Sequence, residues 1–187
     1  MPTNLEGVRV AILATDGVEE AELVEPRKAL KEAGAETILL SPKTGQIQAM
    51  KHDEKTKKYD VDMALNEADP EQFDAVLLPG GGMNADALRV ESAAQAFVTS
   101  IDESGKPIAI ICHAPWLLIS AGRVENRILT SYHTIQDDVL NAGGNWVDKE
   151  VVVDGNWVSS RQPSDIPAFN REMLKLFKTS KIPLKAA

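Results

Sequence analysis

One stretch constrains this chain more than any other: Pro107-Ile108-Ala109-Ile110-Ile111-Cys112-His113-Ala114-Pro115-Trp116. Its apolar run reads as a buried strand that passes directly into a helix. A thiol stands at the corner. A sharp strand-to-helix turn pushes a side chain out of the sheet and sets it at a helix N-terminus. Unsatisfied N–H groups and the helix dipole there favour thiolate over thiol. Cys112 is the only cysteine in the chain. Its other reading is a small buried hydrophobe, the commonest state of a free cysteine. The stretch alone leaves both open.

The rest of the chain supplies the context. Val8 to Ala14 is a nearly continuous apolar run, suited to a first central strand, and it ends in Thr15-Asp16-Gly17. Val18 to Ala33 reads as a helix closing on Gly34. Pro26 inside it marks a kink, or else the true helix start after a short first turn. Ala35 to Leu40 and Phe73 to Leu78 are two further strands, the second ending in Pro79-Gly80-Gly81-Gly82. Between them, Ser41 to Tyr59 is a polar excursion of hairpin character, with His52 as a surface histidine. Glu91 to Ser104 carries Ala94, Phe97, Val98 and Ile101 on one helical stripe. The apolar helix from His113 to Ala121 is expected to be buried. Val147 to Val153 and Trp157 to Ser160 form a hairpin about Asp154-Gly155. Ile166 to Phe177 is a last amphipathic helix, and the final residues read as frayed.

Alternating strands and helices imply an α/β fold: one domain over residues 1–187, a mostly parallel sheet with helices on both faces. In such sheets ligands bind beyond the carboxyl ends of the strands. Asp16 to Glu19, Gly80 to Gly82 and Cys112-His113 all fall at such ends.

Composition narrows the function. The formal net charge of −8 argues against nucleic acid or an anionic membrane as partner. A single cysteine excludes an internal disulfide and suits a reducing compartment. No apolar run approaches the ~18–20 residues of a membrane span, and the N-terminus lacks the pattern of a signal peptide. A cytoplasmic protein is expected. His52, His113 and His133 share no ligand spacing, so no metal site is expected. Without G-x-G-x-x-G, no dinucleotide cofactor is expected either.

A thiol nucleophile needs a proton-handling partner and donors for a developing oxyanion. His113, next in sequence, is one partner; its other reading is a helix cap. Glu19, just past the first strand, is the best carboxylate. In an apolar pocket its pKa would rise and its proton would be donated to the thiolate. Glu19, Glu20 and Glu22 also crowd a helix start, where acids are favoured anyway. Backbone N–H groups at Gly81 and His113 would form an oxyanion hole. Tyr132 and His133 line a pocket or belong to an ordinary loop. Arg161 and Asp165 suit an ion pair or cap at the final helix.

Ala109-Ile110-Ile111-Cys112-His113, Leu78-Pro79-Gly80-Gly81, Val18 to Leu23, Thr130-Ser131-Tyr132, Asp137-Asp138 and Val151 to Arg161 together resemble the PfpI family. That family belongs to the class I glutamine amidotransferase-like superfamily, alongside the parkinsonism-associated protein and deglycase-type stress proteins. The resemblance covers almost the whole chain. It implies a flavodoxin-like three-layer sandwich with a nucleophile elbow at the end of a central strand. It implies Cys112 as nucleophile, Glu19 as the acid bonded to it, His113 as the adjacent histidine, Gly81 and His113 as oxyanion donors, and Tyr132 as a pocket wall. A homodimer or larger oligomer is implied, as is a small carbonyl or peptide-like substrate handled by a cysteine-dependent hydrolase. A deglycase or glyoxalase-like activity and a non-enzymatic redox or chaperone role are the alternatives. Two departures stand out. The family elbow usually reads Cys-His-Gly-Pro-Gln, whereas here Ala114 replaces the glycine and Trp116 adds bulk near the pocket. Peptidase members complete a triad with a neighbouring subunit's glutamate, and the matching position is Ala85, which speaks against proteolysis.

Overall fold

The computed structural model describes residues 4–179; the fraying expected of the last residues lies outside that range. Strand β1 (Arg9–Leu13) is followed by the short β2 (Val18–Glu19), helix α1 (Glu20–Glu32) and β3 (Glu36–Ser41). A hairpin, β4 (Gln46–Lys51) and β5 (Glu54–Asp60), leads through β6 (Met63–Ala64) to β7 (Ala75–Leu78). Helices α2 (Gly82–Arg89) and α3 (Ser92–Glu103) precede β8 (Ile108–Ile111) and α4 (Pro115–Ser120). The last third holds β9 (Ile128–Leu129), α5 (Gln136–Asn141), β10 (Asn145–Trp146), β11 (Val152–Asp154), β12 (Trp157–Ser160) and α6 (Ile166–Thr179).

The main sheet runs β11-β12-β8-β7-β1-β3-β6. Every pairing is parallel except β11 with β12. Side chains alternate across it, as a strand's two-residue period requires. Val10, Ile12, Ala109 and Ile111 face Leu23 and Leu30 of α1 and Phe169, Met173 and Phe177 of α6. Ala11, Leu13, Ile108 and Ile110 face Phe97, Val98 and Ile101 of α3 and Leu117 and Leu118 of α4. Two cores with the sheet between them make the expected three-layer flavodoxin-like sandwich. No helix among the described residues is long and apolar enough to cross a membrane.

Three local outcomes differ from the sequence expectation. Helix α1 continues through Pro26, which is buried inside it, so the helix does not begin at the proline after a short first turn. The proline has no N–H to offer the Glu22 carbonyl, so that turn is one bond short. Helix α2 starts directly at Gly82, where only a flexible turn was expected. Third, β2 pairs with β4, so the polar excursion is tied down as a separate sheet, β2-β4-β5, instead of standing free.

Asp102, at the end of α3, gathers the far side of the molecule. Its nearly inaccessible carboxylate accepts from Arg123 Nε at 2.8 Å, an Arg127 guanidinium N–H at 2.8 Å, Asn156 Nδ2 at 3.1 Å and Trp157 Nε1 at 2.7 Å. Burial alone would push this carboxyl up, but the hydrogen bonds from Asn156, Arg123 and Trp157 and the charge of Arg127 outweigh it and hold it below the ordinary value. A carboxylate with a lowered folded pKa stabilises above its unfolded pKa and loses that contribution as pH falls through the folded value. Asp102→Ala should therefore cost about 3 kcal/mol at pH 7, because it strands two partly buried guanidinium groups. Urea unfolding should show a markedly smaller cost at pH 3.

Candidate active site

The carboxyl ends of β8, β7 and β1, three adjacent strands, bring the site together. Cys112 follows β8 directly with φ +64°, a left-handed conformation that a non-glycine residue adopts only under constraint. The constraint is visible on both sides of the residue. Its N–H donates to the Ser160 carbonyl at 3.1 Å, and its own carbonyl accepts the Tyr132 N–H at 3.0 Å. The elbow thus turns the thiol out of the sheet into a cavity. Ala114, in the usual glycine position, is helical (φ −57°) and packs in the core, so the methyl needs no special backbone.

The buried carboxyl beside the thiol is Glu22, not the expected Glu19. Glu22 lies in the first turn of α1 at 0% exposure. Its Oε2 accepts the Gly80 N–H at 2.9 Å, and the carboxyl lies beside Cys112 across Gly80, close enough that each group shifts the other's protonation. Oε1 is buried and has no hydrogen-bond partner among the described residues. Glu19 lines the same cavity, but its Oε2 accepts the His52 N–H at 3.0 Å. As the last residue of β2, paired opposite Met50, it belongs to the β4–β5 hairpin side of the cavity. One sequence signal distinguishes the two. Glu22, Pro26 and Leu30 recur at i, i+4 and i+8, so Glu22 stands on the buried stripe of the helix.

Burial sets the protonation of this pair. Desolvation pushes Glu22 up to about 8, with the charge of Glu19 adding to it. Cys112 is also pushed up, first by burial and then by the Glu22 charge, against hydrogen bonds from the backbone N–H groups of Gly81 and His113. The lowered thiol pKa expected from a helix N-terminus is therefore not found, because desolvation outweighs those donors. At neutral pH Glu22 stays protonated and acts as a donor towards sulfur.

His113 Nδ1 lies 3.1 Å from Cys112 Sγ. Its other ring nitrogen lies 3.4 Å from Thr134 Oγ1. Burial, then the charge of His133, lowers its pKa, so the ring is neutral and able to accept a proton. Tyr132 stacks on this ring at 4.9 Å and lines the cavity, as expected. Trp116 does not line it. It stands behind His113, with ring centroids 5.2 Å apart at 63°, because α4 carries it away from the cavity mouth. Arg161 and Asp165 form an ion pair at 2.8 Å that braces the loop before α6.

The cavity holds about 560 Å³ and is lined by Cys112, His113, Glu19, Glu22 and Tyr132, with His52, Met83 and Gln162 among the residues at its rim. Its floor is glycine by necessity. A Cβ on Gly80 would strike Glu22 Oε2 and Cys112, and one on Gly81 (φ +90°) would strike the Gly17 carbonyl and the Glu19 nitrogen. Asn84, which the sequence did not single out, holds this floor. It is fully buried, accepts the Thr15 N–H at 2.7 Å, and donates to the Pro79 and Gly80 carbonyls at 3.1 and 2.9 Å. No group of three or more His, Cys, Asp or Glu among the described residues is arranged to hold a metal.

A strained elbow carrying a buried thiol, with a neutral histidine and a buried carboxyl beside it, stands on a mostly parallel sheet between helical layers, the architecture of a flavodoxin-like α/β protein. The chain belongs to the DJ-1/PfpI family, whose model matches residues 8–176. It is 47% identical over 171 residues to the deglycase TK1284 of Thermococcus kodakarensis, covering 91% of this chain and all of that one. It is 41% identical over 169 residues to protein/nucleic acid deglycase 2 of Escherichia coli, covering 90% and 96%. Among solved structures, Drosophila melanogaster DJ-1beta superposes with a TM-score of 0.82 at 26% identity, covering 96% and 98%.

A carboxyl whose folded pKa is raised stabilises most below its unfolded pKa and loses that contribution as pH climbs to the folded value. For Glu22 the window runs from 4.5 to about 8, worth about 4–5 kcal/mol. Glu22→Gln should therefore gain stability relative to the natural chain as pH rises from 5 to 8.5. Thermal unfolding across that range should show the difference growing; a constant difference would contradict a buried, protonated Glu22.

Proposed function

We propose that this chain is a cysteine-dependent hydrolase of the deglycase type, acting on small carbonyl adducts of amines and linked to stress defence. The observation that carries this is the meeting of the Cys112 thiol, the Glu22 carboxyl and His113 Nδ1 in one cavity, with the Gly81 and His113 N–H groups aimed at the same sulfur. Two relatives named as deglycases, at 47% and 41% identity over nearly the whole chain, support it.

The chemistry suits an amine carrying a methylglyoxal unit as a carbinol. Cys112 Sγ forms a bond to the carbinol carbon as the C–N bond breaks. The thiol proton passes through His113 Nδ1 to the departing amine. The bound hemithioacetal then moves one hydrogen, as a proton, from its C1 to the neighbouring carbonyl carbon through an enediol. This oxidises C1 to a thioester and reduces C2 to an alcohol, with no outside oxidant. His113, neutral again once the amine has taken the thiol proton, is placed to relay that proton, the protonated Glu22 donates towards the sulfur, and the Gly81 and His113 N–H groups face the oxygen where charge develops. Water cleaves the thioester, releasing lactate and restoring the thiol. For a proteolytic triad the position is poorly furnished: Ala85 is a buried methyl in α2.

Lactate and free amine should appear in equal amounts from a preformed methylglyoxal adduct of N-acetyl-lysine, faster than the adduct falls apart alone. Cys112→Ser should reduce release to the uncatalysed rate. Undiminished lactate release by that variant would overturn the proposal, as would peptide cleavage by the natural chain without lactate.

A further inference from the structure

The function proposed above leaves open what holds His113 in place. Adjacent residues on an elbow tend to diverge, yet His113 Nδ1 sits 3.1 Å from the sulfur of its neighbour. The Tyr132 ring covers one face of the imidazole at 4.9 Å. Stacking alone leaves the ring free to slide and turn in its plane. Thr134 Oγ1, 3.4 Å from Nε2, meets the ring at one end, and the aromatic restraint at its edge comes from Trp116, packed against it at 5.2 Å and 63°.

Trp116 is itself fixed at two points. Its indole N–H donates to Asp138 Oδ2 of α5 at 3.1 Å. The Arg89 guanidinium of α2 lies 5.2 Å over its ring, and that guanidinium is held by Ser120 Oγ at 3.1 Å. The half-buried indole therefore ties three helices to the edge of one imidazole. A glutamine, the residue that the PfpI resemblance leads one to expect here, offers neither an aromatic edge for His113 nor a ring face for Arg89.

We propose that Trp116, anchored through its indole N–H on Asp138 and capped by Arg89, is a positioning residue that holds the His113 imidazole with Nδ1 on the Cys112 sulfur. It touches neither sulfur nor substrate and acts through His113. The indole also covers one edge of the imidazole, and burial of the ring as a whole is the larger cause of its lowered pKa. Several charged and titratable groups stand around His113, with Glu19 and His52 on the wall of the same cavity. Cys112 lies on its own elbow, with Glu22 of α1 behind the thiol. His133 stands across Tyr132 at 4.5 Å between the rings. Asp138 and Arg89 are reached through Trp116.

The proposal rests on the proton-accepting role given to His113, so its test reads His113 directly as well as turnover. The probes are the natural chain, Trp116→Ala, Trp116→Phe, Asp138→Ala and Asp138→Asn, each first shown to be folded by thermal unfolding. NMR titration of the His113 ring in Trp116→Ala should show its midpoint moving up towards the ordinary histidine value as water reaches the ring. Alkylation of Cys112 by iodoacetamide at pH 7 should slow by about tenfold, the scale of a misplaced general base. The acid limb of the pH–rate profile should shift to higher pH in step with the titration, with kcat falling and KM little changed. Trp116→Phe keeps an aromatic edge and should fall between the two. Asp138→Asn, which retains an acceptor, should lose less than Asp138→Ala. If folded Trp116→Ala shows an unmoved His113 titration and an unchanged alkylation rate, the proposal is overturned. If the titration and alkylation move while the natural chain releases no lactate, the positioning role stands and the proposed reaction falls.

Discussion

The site depends on one buried contact: the Glu22 carboxyl set between the Gly80 N–H and the Cys112 thiol. It locks together the first turn of α1, the loop after β7 and the elbow after β8, three segments far apart in sequence. A buried carboxyl with a single strong donor is destabilising if ionised. It persists because protonation removes the charge, and because Gly80 leaves the room that any Cβ would fill. Pro26, four residues on, leaves the Glu22 carbonyl without its usual helical partner. The polar residue of greatest chemical interest thus sits in the least regular turn of its helix.

Asn84 does for the backbone what Glu22 does for the side chains. Its three hydrogen bonds join the end of β1 to the Pro79–Gly80 turn, so two strand ends move as one unit beside the thiol. This places the Gly81 N–H where it meets sulfur. It also explains why α2 begins at once after a run of glycines: the helix is held by a tertiary network, with no side-chain cap at its start.

That distinction decides what was legible in the sequence. The central strands were readable because their burial on both faces imposes continuous apolar runs, and the strand ends then pointed to the three loops that meet. The thiol elbow was readable for the same reason: Ile108 to Ile111 can only be interior, and a cysteine directly after them must turn. The choice between Glu19 and Glu22 was harder. It depends on where α1 starts relative to β2, and a shift of one residue at a helix start rotates every side chain by about 100°. The outward position of Trp116 turns on the angle at which α4 leaves the elbow, which the packing of α2 and α5 determines. Helix α2 carried no side-chain cap signal, and nothing local to Asn84 marks the buried network it holds.

The thiol itself shows where local rules yield to tertiary ones. A helix N-terminus and two backbone N–H groups favour thiolate, and the sequence supports that expectation. The folded chain buries Cys112 to 7% exposure beside a carboxyl, and desolvation is the larger effect. A standing thiolate is thereby disfavoured, and the reaction proposed above draws its nucleophile from proton transfer at the moment of attack. His113 fits that demand because it is kept neutral and its Nδ1 already touches the sulfur. Glu22 fits it because its proton is retained at neutral pH, sparing the sulfur an adjacent negative charge. The residues around the pair, Tyr132 on one face of the imidazole and Trp116 at its edge, then matter for geometry more than for charge, since a base that drifts by 1 Å no longer reaches the proton it must take.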